Sequence, residues 1–104
     1  MNSPSDQLIK CHVVGSGKLP HAVGGAERLC AAIERAAAVE GLATSFTVEV
    51  RVLSDSLLAA TLTTADGKVL PEQKFASSDR VLNPDSIDHF AKALVTVVAG
   101  ADKR

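Results

Sequence analysis

Residues 45–76 read SFTVEVRVLSDSLLAATLTTADGKVLPEQKFA. In its first third, Phe46, Val48, Val50 and Val52 alternate with Thr47, Glu49 and Arg51. A strict period of two turns successive side chains to opposite faces, so 45–53 is expected to be a strand with one apolar side. Ser54, Asp55 and Ser56 make a short turn, and LLAATLTT (57–64) is the next strand. Ala65-Asp66-Gly67-Lys68 then carries the Asp-Gly pair of a tight hairpin, leading to a strand over 68–76. Pro71 has no N–H to give a ladder, so that last strand is expected at an edge or with a bulge. Three short strands joined by tight turns predict an antiparallel meander.

The flanks complete the architecture. QLIKCHVV (7–14) alternates again, placing Ile9, Cys11 and Val13 on one face and Lys10 and His12 on the other. The Ala-rich stretch 26–40 predicts a helix stopped by Gly41, with an apolar stripe of Val23, Ala26, Cys30, Ile33 and Ala37. The second helix, 84–99, opens on Asn83 as N-cap with Pro84 and Asp85 behind it. It buries Ile87, Phe90, Ala91, Leu94 and Val98, and Gly100 ends it. The expected fold is α+β in the order β-α-β-β-β-α: a two-layer sandwich with a four-stranded, mainly antiparallel sheet and both helices on one face. Residues 1–104 form one domain, with 1–6 and 101–104 as flexible termini.

Composition removes several functions. The chain has 11 basic and 12 acidic residues and a formal net charge of −1, without a basic stripe. Nucleic acid is therefore not an expected partner. Aromatic residues are three Phe only, which argues against base stacking. No apolar run approaches the ~20 residues that span a bilayer, so membrane insertion is not expected. MNSPSDQ lacks a charged and apolar leader, so the expected location is the cytoplasm, or the periplasm if a signal sequence has been removed.

VVGSGKLP (13–20) raises the question of a phosphate loop, since strand, Gly-rich turn, Lys and helix are its parts. Two defining positions fail: His12 stands where the first Gly belongs and Leu19 where the Ser/Thr belongs. The dinucleotide spacing fails at Pro20. A strand-to-helix connection needing glycine freedom explains the stretch better. Of the histidines, His89 lies on a polar helix flank beside Asp85 and Asp88, where Ser86 is one turn away with no third member of a triad. His21 has no nameable partner. His12 shares the polar sheet face with Lys10, Glu49, Arg51, Thr61 and Thr63. No nucleophile–base pair, metal cluster or cofactor is expected, and an enzyme is not the expected reading.

Cys11 and Cys30 stand 19 residues apart, with no C-x-x-C and no His pair to suggest zinc. If the first strand lies under the first helix they are neighbours, either as two buried thiols or as a disulfide, and a bond would indicate an oxidising compartment.

Two resemblances bear on function. Helix, three strands and a helix is the order of double-stranded-RNA-binding domains, and FTVEVRV and FAKALVTVVA resemble segments there. Asn83-Pro84-Asp85-Ser86-Ile87-Asp88 replaces the lysine cluster of that family and would repel phosphate. LAATLTTADGKVLPEQKF followed by a helix resembles the sheet-and-helix part of outer-membrane accessory lipoproteins, over about half the chain; that resemblance implies a periplasmic envelope accessory role. From the residues alone, the expected function is a small non-catalytic module working by self-association or protein binding. The alternative is a small-molecule binder using Gly15–Gly25 or the polar face of Lys10, His12, Glu49 and Arg51, with Lys18 near an anion.

Overall fold

A computed structural model of the chain describes residues 9–41, 45–77 and 81–102. Its elements are β1 (Ile9–Val14), α1 (Gly25–Val39), β2 (Phe46–Ser54), β3 (Leu57–Thr64), β4 (Gln73–Ala76) and α2 (Pro84–Asp102). The four strands form one sheet in the order β1-β2-β3-β4. The α+β sandwich is as the sequence predicts, with one correction. The sheet is mixed, not mainly antiparallel, because β1 runs parallel to β2 while β2–β3 and β3–β4 are antiparallel. The cause is α1: it carries the chain back along the sheet, so β2 starts at the same end as β1.

One apolar layer holds the molecule together. Phe46, Val48, Val50 and Val52 of β2, with Leu58, Ala60 and Leu62 of β3, are buried in a single cluster with both helices. From α2 come Ile87, Phe90, Ala91, Leu94, Val95 and Val98; from α1, Leu29, Ala32, Ile33 and Ala37. The α1 stripe is thus rotated from the expected one. Leu29 and Ala32 are core, whereas Ala26 and Cys30 are only half-buried. Val23 is buried from a short 3-10 turn, His21–Val23, that precedes the helix.

The helix ends follow local chemistry. Ser86 N–H donates to Asn83 Oδ1 (2.9 Å) and Asn83 N–H donates to Ser86 Oγ (3.0 Å), a reciprocal cap that satisfies two orphan donors at the start of α2. α2 continues through Gly100 to Asp102, past the expected stop. Residues 1–6 and 103–104, expected as flexible, lie outside the described residues, as do residues 7 and 8 of the expected first strand.

The last strand is shorter than its pattern. Only Gln73–Ala76 pairs fully with β3, and Val69 makes a single bridge to Thr63. Pro71 falls in the gap, where it lacks an N–H to continue the ladder. The hairpin before it is built from Thr64 and Asp66. Gly67 adopts φ 91° and donates its N–H to Thr64 O, and the Thr64 hydroxyl donates to the Asp66 carboxylate. That hydroxyl, aided by the Lys68 backbone, holds the exposed Asp66 carboxyl below the usual aspartate range.

Candidate functional site

The helices cover one face of the sheet, and the other carries the polar residues of the strands. Register sets them in rows across it. His12 lies beside Glu49 and Glu49 beside Thr61; the next row runs Val14, Arg51, Ala59, Lys74. A third row runs Lys10, Thr47, Thr63, Val69. Lys10, His12, Glu49 and Arg51 are thus brought onto one surface, all exposed. Lys18 is not part of it: it ends a separate 3-10 turn, Ser16–Lys18, in the connection to α1.

Apolar groups interrupt the charges. Val14 is 43% exposed and Leu53 40% by the alternation of β1 and β2, Leu53 at the irregularity between Val52 and Ser54; Val69, 64% exposed, bridges Thr63 of the same face. Ala59 is fully buried yet lies outside the core cluster, under the row formed by Arg51 and Lys74. Arg51 pairs with Glu72, which lies in the gap before β4. Lys10, Arg51 and Lys74 stand against Glu49 and Glu72, so the face is nearly neutral. Sequence reasoning missed Val14, Leu53, Ala59, Val69, Glu72 and Lys74. Alternation alone would have placed Val14 and Leu53; the others needed register, since cross-strand neighbours cannot be known until the strands are paired.

The 13–20 stretch is explained by backbone packing. Lys18 N–H donates to Gly15 O, Leu19 N–H to Ser16 O, and Val23 N–H to Pro20 O, each at 3.0 Å. Those amides close 3-10 turns, so they do not point outward as a phosphate cradle requires. Gly15 has φ 81°, and a Cβ there would sit 2.8 Å from the Val52 carbonyl oxygen. Gly17 has open space. Gly15→Ala should therefore cost roughly 1–3 kcal/mol in denaturant unfolding while Gly17→Ala stays within about 0.5 kcal/mol. Equal losses at both positions would mean that the loop needs both glycines for something other than this contact.

The remaining candidates are scattered. The Ser86 hydroxyl is engaged in the α2 cap, and His89 and His21 are exposed on separate elements. Among the described residues, no three His, Cys, Asp or Glu side chains are placed to hold a metal ion, and no polar or charged side chain is buried. A groove of about 280 Å3 lies between the helices, with Ala32, Ala36 and Val39 in its walls and Arg35, Asp88 and Lys92 around it. Arg35 and Asp88 bridge it at 3.6 Å. At the far end of the sheet, Lys10, Phe46, Thr47 and Thr64 line a smaller recess.

Cys11 and Cys30 are bonded to each other, with Cα atoms 5.8 Å apart. The bond ties β1, at the edge of the sheet, to the second turn of α1. Both cysteines are half-buried. The helix rotation that brings Leu29 into the core turns Cys30 toward the edge of the layer.

No protein-family model matches the chain, and no curated protein matches it.

Proposed function

We infer that the chain is a small non-catalytic docking module that binds protein through the helix-free face of its sheet. The observation that carries this reading is the row pattern of that face: exposed Val14, Leu53 and Val69 set among a nearly balanced group of charges. Apolar side chains supply the burial that drives association, and charges at fixed register select the partner and its orientation. A small-molecule site would instead converge polar groups in a concavity. On this surface the charged groups stand on a pleated sheet, and Arg51 is already paired with Glu72.

The Cys11–Cys30 bond supports an oxidising compartment, since structural disulfides persist outside the reducing cytosol. A periplasmic envelope role fits that reading. The test uses two sets of surface substitutions in the folded, oxidised protein. Val14→Ser and Leu53→Ser should weaken association at least ~10-fold, whereas Arg35→Glu and Lys92→Glu across the molecule should leave it unchanged. Stability should move by no more than about 0.5 kcal/mol in either set. Binding that is lost only through the helix-face pair would transfer the function to the interhelical groove.

A further inference from the structure

Resting on that reading of the open face, we propose that its occupant is a second copy of this chain. The two sheets pack face to face about a two-fold axis that crosses β2 between Glu49 and Arg51. A surface can meet itself only where its own charges do not repel, and here Lys10, Arg51 and Lys74 are offset by Glu49 and Glu72. Order along β2 then selects the axis. Glu49 and Arg51 are two residues apart on the same face, roughly 6.6 Å along the strand. An axis across the strands midway between them sets Glu49 opposite Arg51 of the second copy, which also holds Glu72 of its own chain, and Arg51 opposite its Glu49. An axis along β3 instead sets each row against its own likeness, with Arg51 facing Lys74 of the second copy.

The same operation fits the neighbouring positions. The row His12, Glu49, Thr61 meets the row Val14, Arg51, Ala59 of the second copy. Thr61 on β3 is small, and Ala59 beside it already lies buried beneath Arg51 and Lys74, so the second sheet meets those side chains there. Leu53 comes over Thr47 of the second copy, in the row that ends at Val69. Area is sufficient for a weak dimer. Four strands at ~4.8 Å spacing and about six residues of length span roughly 20 by 19 Å. Two such faces cover on the order of 760 Å2 in plan before side-chain relief, the size of a weak, transient contact.

Sedimentation velocity of the oxidised chain over ~5 µM to ~1 mM tests the proposal, with charge exchange locating the contact. Glu49→Arg alone and Arg51→Glu alone should each weaken self-association at least ~10-fold, because each opposes like charges across the axis. Mixed in equal amounts, the two variants should associate with each other to within about threefold of the wild type, since every opposed pair is again of unlike sign. The double exchange Glu49→Arg with Arg51→Glu should also restore self-association, which separates charge register from any effect on folding. A wild type that stays monomeric to ~1 mM, yet loses a different protein partner on Arg51→Glu, overturns the dimer and leaves the docking face standing. A dimer indifferent to both single variants overturns this two-fold arrangement, and loss of partner binding through the Val14 and Leu53 substitutions then tests the docking face by itself.

Discussion

Phe90→Ala is expected to cost about 3–5 kcal/mol, a large share of the stability of a domain this size. Phe90 is 1% exposed and lies near the middle of the buried stripe of α2. Its ring packs on Phe75 of β4 with centroids 5.7 Å apart and planes tilted by 53°. Truncation therefore loses the buried ring, leaves a cavity beneath α2 and removes an aromatic contact worth about 0.5–1.5 kcal/mol beyond burial. β4 has only four ladder residues, so Phe75 is a main tie between that edge strand and the core. Phe90→Leu keeps most of the volume and should cost roughly half as much or less. Urea unfolding monitored by far-UV circular dichroism measures both variants. A loss below ~1 kcal/mol for Phe90→Ala would mean that α2 is not held to the sheet by this ring.

Opening the disulfide is expected to cost about 3 kcal/mol. The bond closes a loop of 19 residues in the unfolded chain, and the chain-entropy relation assigns about that much to a loop of this length. A melting temperature lower by roughly 12–24 °C is the corresponding thermal shift. Cys11→Ala with Cys30→Ala, or reduction of the wild type, should give the same loss, because each releases the same constraint. The effect should concentrate at β1. That strand has one ladder only, to β2, and the bond is its covalent anchor to α1. Hydrogen exchange should therefore rise first over Ile9–Val14 and least in β2 and β3. If reduction leaves both the melting temperature and β1 exchange unchanged, the bond is a consequence of proximity and not a brace.

The period-two pattern of 46–52, the Asp66-Gly67 turn and the Asn83-Pro84 start of α2 are local devices, and each was readable in order along the chain. Their information lies within a few residues: alternation, a backbone conformation that glycine tolerates, and a side chain that caps its own helix. The buried sets of β2 and α2 followed, because each element's apolar face is fixed by its own periodicity. Lys10, His12, Glu49 and Arg51 could be assigned to one polar face for the same reason.

What tertiary structure alone decided is everything that depends on one element meeting another. The parallel sense of β1 came from where α1 sets the chain down. The rotation of α1 that buries Leu29 and turns Cys30 to the edge came from competition among its apolar residues for one sheet. Gly15 owes its identity to the Val52 carbonyl, 37 residues away, a contact no local pattern encodes. The rows Val14–Arg51–Ala59–Lys74 and His12–Glu49–Thr61 exist only once register is set, because pairing, and not sequence distance, determines which side chains stand together on a sheet.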